Sequence, residues 1–245
     1  MHRVIVSPDA IQNGCLTIRN ASELHHLVHV VRVKVGDEVE CFDGQGHGYR
    51  GAIFELTRQQ IVVHIEQTFR EAAPALPVLL AQALIKPERF EWALQKATEL
   101  GVHQVIPLMT QRTRSQPTAR GHEHKVERWR RIAAEAAKQC GRLTLPDIRP
   151  PQPFEEFIPT LTPSSLALMP TLSIETRPLK GALHSLNEFS SAIALIGPEG
   201  DFTPEEALLA QRHGARPVSL GRLTLRSETA AVATLAILQH EAGAW

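Results

Sequence analysis

Cysteine is scarce in this chain. Cys15, Cys41 and Cys140 are the only three thiols in 245 residues. They are too few and too scattered for a disulfide framework or a structural zinc site, and their scarcity points to a reducing, cytoplasmic setting. No apolar run approaches the roughly 18 residues that cross a bilayer. The start, Met1-His2-Arg3-Val4-Ile5-Val6-Ser7-Pro8, lacks the apolar core of a signal peptide, so no membrane partner is expected. Walker-A, H-E-x-x-H and C-x-x-C sequences are absent. His25 and His29 have the spacing of a metal-binding pair, but no companion ligand stands at suitable spacing, so no metal is expected. No internal repeat of 20–50 residues is found.

Net charge is also lacking, since 26 Lys and Arg balance 26 Asp and Glu. The balance is uneven along the chain. Residues 1–73 carry a net −2, residues 74–149 a net +6 and residues 150–245 a net −4. A basic middle in a neutral chain suggests a surface that faces a polyanion. Apolar residues make up 43%, enough to bury a proper core and to exclude wholesale disorder.

The first 70 residues read as short β-rich segments punctuated by Gly, Asp and Asn, the pattern of a small β-barrel. One helix interrupts them, with Ser22 as its expected N-cap and Leu24, Leu27, Val28 and Val31 on one stripe. Residues 71–77 read as a linker. From residue 78 strands alternate with helices, which predicts a mostly parallel sheet covered on both faces. Pro87 marks a helix start, and Phe90, Ala93, Leu94, Ala97 and Leu100 follow at helical spacing before Gly101. A basic helix is expected over residues 122–138. Six prolines in residues 146–163 suggest an irregular connection. Thr203-Pro204-Glu205-Glu206 is a capping box, and the last helix should start at Ser227.

Gly46-His47-Gly48-Tyr49-Arg50-Gly51 matches the dinucleotide fingerprint in letters only. A strand-like segment follows where the fingerprint needs a helix N-terminus, so a glycine-rich hairpin is the better reading. Three later stretches carry more. Ile196-Gly197-Pro198-Glu199-Gly200-Asp201-Phe202 follows an apolar strand, and its glycines permit close approach of a ligand. Ser219-Leu220-Gly221-Arg222-Leu223 is a second strand end. Leu225-Arg226-Ser227-Glu228-Thr229-Ala230-Ala231 opens a helix. All three fall at consecutive strand ends within about 35 residues, where ligands of open α/β sheets bind.

In that order these stretches resemble the three signature loops of the SPOUT RNA methyltransferases. More closely, nearly the whole chain resembles the bacterial ribosomal RNA small subunit methyltransferase E family, the 16S rRNA uridine-N3 methyltransferases. His26-Leu27, Val30-Val31-Arg32 and Gly36-Asp37 are similar to that family's N-terminal barrel. Residues 96–102 are similar to its first methyltransferase helix, and Arg128-Trp129 with residues 135–142 to its basic middle segment. Asp201 and Thr224 stand where the family commonly has Gly and Ile. The resemblance implies an α/β fold: a trefoil-knotted methyltransferase domain over residues 73–245, preceded by a PUA-like β-barrel over residues 1–72.

It also implies S-adenosylmethionine as cofactor, held by Met169, Pro170, Gly197, Pro198, Glu199, Gly200, Leu220, Gly221, Leu223 and Leu225. Arg226, Glu199 and Glu228 are the catalytic candidates. Neutral uracil carries a proton on N3, so N3 becomes a good nucleophile only as that proton leaves. Arg226 stays protonated and cannot be the base, whereas either carboxylate could accept the proton. Arg3, Arg32, Arg112, Arg114, Arg128, Arg130, Arg131, Lys138 and Arg142 are the RNA-binding candidates. The expected partners are 16S rRNA or the small ribosomal subunit, and a second copy of the chain in a homodimer. Trp129 reads first as core, second as a base-stacking residue. The rival readings are another SPOUT reaction on rRNA or tRNA (ribose 2′-O or guanine-N1) and a non-catalytic RNA-binding assembly factor.

Overall fold

A computed structural model describes residues 2–113, 119–184 and 186–244. The chain divides into two compact units: Met1–Ala73 with Ala134–Leu145, and Pro74–Ala133 with Pro146–Trp245.

The first unit holds strands β1 (His2–Ile5), β2 (Ile11–Gln12), β3 (Cys15–Ile18), β4 (Glu38–Phe42), β5 (His47–Leu56) and β6 (Ile61–Arg70). They form one sheet in the order β1-β4-β5-β6-β3-β2. The β1–β4 pair is parallel, and the other pairs are antiparallel. Val4, Leu16, Ile18, Val39, Ile53, Ile61 and Val63 alternate inward and make its core with Leu24 and Leu27, as the period-two geometry of strands requires. Asn20, not Ser22, caps helix α1 (Ala21–His25); its side chain accepts from the Ser22 and Glu23 amides. The chain continues as a π-helical turn through Val31 and ends at Arg32 in the left-handed region, φ 63°. The 46–51 stretch is mostly strand rather than turn. The turn itself is held by Asp43, whose carboxylate accepts from the Gln45 and His47 amides.

The second unit holds a parallel sheet of β7 (Val78–Ala83), β8 (Gln104–Met109), β9 (Asp147–Ile148), β10 (Gln152–Pro153), β11 (Ser165–Pro170), β12 (Arg177–Pro178), β13 (Ser191–Ile196) and β14 (Arg216–Ser219). The order is β10-β8-β7-β13-β11-β14-β12, with β9 also on β8. The helices are α2 (Pro87–Glu99), α3 (Ala119–Cys140, which runs on into the first unit from Ala134), α4 (Phe154–Phe157), α5 (Leu179–Leu183), α6 (Pro204–Arg212) and α7 (Ser227–Glu241). The 146–163 segment is therefore more regular than its prolines suggest. Pro153 ends a parallel strand, and Phe154, Phe157 and Ile158 are buried.

Alternation splits the core between the two faces of the sheet. Leu80, Leu166, Leu168, Ala194 and Ile196 face Phe90, Leu94, Leu235 and Leu238 of α2 and α7. Ala81, Ala167, Met169, Ile193 and Leu195 face Phe154, Phe157, Phe202 and Ala207. Each fully buried Leu, Ile or Phe removes apolar surface worth roughly 1.5–3 kcal/mol from water. All the strands run the same way, so their carboxyl ends share one edge. That edge carries the site.

Candidate active site

The sheet neighbours β13, β11 and β14 end in Ile196, Pro170 and Ser219. The loops that follow enclose a cavity of about 360 Å3 with the start of α7. Pro170, Gly197, Pro198, Glu199, Leu220, Gly221, Leu223, Leu225 and Arg226 all line it. Three predicted residues do not. Met169 is fully buried in the core beneath. Gly200 sends its carbonyl to Arg112 Nη1. Glu228 lies behind the wall, 8% exposed, with Oε2 lacking any hydrogen-bond partner among the described residues.

The loop geometry has identifiable causes. A Cβ on Gly197 would sit 3.2 Å from Asp201 Oδ1, Phe202 Cδ2 and Phe202 N, so a side chain there would push the loop aside by a few tenths of an ångström. Gly221 has φ +123°, a region L side chains rarely adopt. Ser227 is not the helix cap; Arg226 holds that position. Instead Ser227 Oγ donates to the Gly197 carbonyl at 2.6 Å and accepts from Gln82 Nε2 at 2.9 Å. Strand β7, the 197 loop and α7 are thereby joined at one buried hydroxyl.

Asp201 sits at φ 61°. Its carboxylate accepts from Thr171 Oγ1 at 2.9 Å, the Leu172 amide at 2.6 Å, Ser173 Oγ at 3.0 Å and the Phe202 amide at 2.8 Å. A short acceptor thus ties the loop after β13 to the loop after β11. Four accepted bonds offset the cost of a left-handed backbone, which is of order 1–3 kcal/mol.

Arg89, in the first turn of α2, was not anticipated from the sequence. Its guanidinium lies between the two carboxylates among the catalytic candidates, with Nη1 3.5 Å from Glu199 Oε1 and Nε 3.8 Å from Glu228 Oε1. The only sequence signal is a cation placed just after the end of β7. Thr171, Ser219 and Asp201 also line the cavity.

The basic candidates fall into groups. Arg32, Arg128, Arg130 and Arg131 are exposed. Arg128 pairs with Glu91 at 2.6 Å, and the Glu91 hydrogen bond followed by its charge raises the Arg128 pKa. Arg112 is exposed but bonds the carbonyls of Gly200 and Phe202. Burial lowers the Arg142 pKa, and its Nε donates to Thr144 Oγ1 at 2.9 Å. Arg114 lies outside the described residues. Two candidates serve the fold instead. Arg3 pairs with Glu40 at 2.7 Å, donates to the carbonyls of Ala137, Lys138 and Arg142, and rests on the Phe42 ring. Lys138 is held by Glu23 and Glu135. Trp129 is 4% exposed and lies 4.5 Å from the Phe90 ring, a core position. Among the described residues no group of three His, Cys, Asp or Glu could hold a metal, and no helix is long and apolar enough to cross a membrane.

A parallel sheet whose loops cup a cavity at its carboxyl edge is the arrangement of an α/β ligand-binding enzyme domain, and the match to family models makes the class that of the RNA methyltransferases. The RNA methyltransferase domain model matches residues 72–239, and the RNA methyltransferase PUA domain model matches residues 18–66. The chain belongs to the ribosomal RNA small subunit methyltransferase E family. It is 35% identical to the Synechocystis member over 96% of this chain and 76% of that one. The Bacillus subtilis member is 27% identical over 89% and 88%. Among solved structures, a Legionella pneumophila protein in complex with the cofactor S-adenosylmethionine superposes with a TM-score of 0.82 at 29% identity, covering 97% of this chain and 96% of that one. The Neisseria gonorrhoeae family member, bound to S-adenosylmethionine, has the same fold, with a TM-score of 0.84 at 24% identity over 98% and 97%.

Proposed function

We propose that this enzyme transfers the methyl group of S-adenosylmethionine to N3 of one uridine in the 16S rRNA of the small ribosomal subunit. One observation carries the reading: three loops on adjacent strand ends close around a single cavity, with Arg226 in its wall and two carboxylates beside it. The lining suits the cofactor. Gly197 and Gly221 leave backbone bare at the cavity wall, and Leu223, 81% exposed at the cavity, offers an apolar lid to a flat purine. Pro170, Pro198, Leu220 and Leu225 supply the remaining apolar wall.

S-adenosylmethionine supplies a methyl group on a cationic sulfur, which leaves as a neutral thioether when N3 takes the methyl. The chain does the rest. Arg226 stabilises the negative charge that grows on the uracil oxygens as N3 loses its proton. Glu199 or Glu228 accepts that proton, and Arg89 fixes both carboxylates in place. Residues 73–245 form the catalytic domain, its carboxyl-terminal loops threaded as a trefoil knot, and residues 1–72 help dock the RNA. Arg32, Arg112, Arg128, Arg130, Arg131 and Arg142 are the candidate phosphate contacts, which makes binding salt-dependent. The enzyme works in the cytoplasm as a homodimer. Exposed Trp92 on α2 and Ile237 on α7, helices that pack together, supply an apolar surface for the second copy.

Mass spectrometry of small-subunit rRNA nucleosides from a deletion strain tests the reading. Loss of 3-methyluridine is expected. Unchanged 3-methyluridine, with loss of a ribose methyl or of nothing, overturns it.

A further inference from the structure

A second cavity lies on the same edge of the sheet, one step over. It occupies about 400 Å3 where β7 and β8 end, within the size range of small-ligand sites. Its walls are Leu84, Ile85, Phe90 and Trp129, and the cations Lys86, Lys125 and Arg128 line it together with the Glu91 carboxylate. Glu199 is the one residue lining both cavities.

We propose that this second cavity receives the target nucleobase after it leaves the RNA stack. The inference rests on the methyl-transfer reading and names the place of the acceptor. N3 lies on the pairing edge of uracil, so an enzyme reaches it only in an unpaired or extruded base. The reacting atoms must come within about 3–3.5 Å of each other, so the base must sit next to the donor cavity. The second cavity meets that requirement through its shared wall. An aromatic and aliphatic floor suits the face of a pyrimidine, whose loss of stacking is repaid on aromatic side chains. Arg128 is paired with Glu91, whereas Lys125 has no ion-pair partner among the described residues. Lys125, with Lys86 beside it in the lining, is therefore a cation available to the nucleotide's phosphate. Glu199, standing between the cavities, is the carboxylate that meets the N3 proton. That proton passes to Glu199 as the N3 lone pair forms its bond to the methyl carbon.

The test uses uridine 5′-monophosphate as probe and the full chain saturated with S-adenosylhomocysteine. Indole N–H signals are followed by NMR and assigned with Trp92→Phe and Trp245→Phe, which leaves Trp129 intact. The expected result is a saturable shift of the Trp129 signal, with S-adenosylhomocysteine still bound. Lys125→Glu should weaken the probe about tenfold, Lys125→Arg should restore it, and neither should alter S-adenosylhomocysteine binding. With Lys125→Ala, the log–log salt slope for rRNA binding should fall by about one. A bound S-adenosylhomocysteine with an unmoved Trp129 signal overturns this inference and leaves the methyl-transfer reading standing. So does displacement of S-adenosylhomocysteine by the probe, or a dimer that Lys125→Glu splits, since the cavity would then belong to the donor or to a second copy. Failure of S-adenosylhomocysteine to bind at all strikes the methyl-transfer reading instead.

Discussion

Two glycine-bearing stretches, 46–51 and 197–200, look alike as sequence and do different work. In the first, glycine removes side chains from a crowded sheet. A Cβ on Gly51 would lie 1.9 Å from the His64 carbonyl oxygen, and one on Gly48 would lie 2.3 Å from the Phe69 ring. In the second, a Cβ on Gly197 would press on Asp201 and Phe202 at 3.2 Å, while Ser227 and Asp201 hold the loop in shape beside a cavity. The same residue type serves close packing within a sheet in one unit and in a loop beside a cavity in the other. What separates the two cases is the element that follows: strand β5 after Gly46, and a capped helix after Asp201.

This contrast can be broken at several points. Arg226→Ala should have the largest effect, lowering kcat about 10²–10³-fold with little change in S-adenosylhomocysteine affinity, as expected for a group that stabilises developing charge. Steady-state kinetics alongside calorimetry checks this, and near-wild-type turnover removes Arg226 from the mechanism. Gly51→Ala should cost about 3 kcal/mol of stability, because backbone sets the clash and cannot swing aside. Urea unfolding reads that loss, and unaltered stability would mean the packing at His64 is looser than described.

Asp201→Gly sharpens the comparison from the other side. It relieves the left-handed backbone yet removes four accepted hydrogen bonds, so S-adenosylhomocysteine affinity should fall several-fold with a stability loss of about 1–2 kcal/mol. Equal or tighter binding would show that the carboxylate is dispensable. The smallest effect concerns Asp43 in the turn before β5. Burial pushes its carboxyl up, but hydrogen bonds from the His47 and Gln45 amides and the His47 ring outweigh that and hold it below the usual 3.8. A depressed carboxyl stabilises the fold above its unfolded pKa, and the benefit is lost as pH falls through the folded one. Asp43→Asn should therefore be less stable than wild type near neutrality, with the gap shrinking below about pH 4. A gap constant from pH 7 to pH 3 contradicts the assignment.

Much of this arrangement was legible in the sequence, for physical reasons. The switch from period-two patterning to strand–helix alternation marks the change of architecture after residue 70. The Thr203 capping box forms as expected, with Glu206 reaching back to the Thr203 amide. The 196–202, 219–223 and 225–231 stretches converge because β13 and β14 flank β11 in the sheet and all three stretches line one cavity. What escaped the sequence depends on partners far along the chain. Arg3 looked like a surface cation, yet its acceptors are carbonyls more than 130 residues away. Ser227 reads as an N-cap, but its oxygen serves Gly197 and Gln82. Arg89 reads as an ordinary first-turn cation until β7 and β13 pair and bring it to Glu199. Asn20 takes the cap place expected of Ser22 because the helix starts at Ala21, and its side chain accepts from the Ser22 and Glu23 amides.

The central claim is that the 197, 220 and 226 segments grip a methyl donor. Calorimetric titration of wild type and Gly197→Val with S-adenosylhomocysteine tests it most directly. Saturable binding at one site per chain is predicted for wild type, with binding lost in a folded Gly197→Val. No heat with wild type, or equal affinity in both proteins, would contradict it.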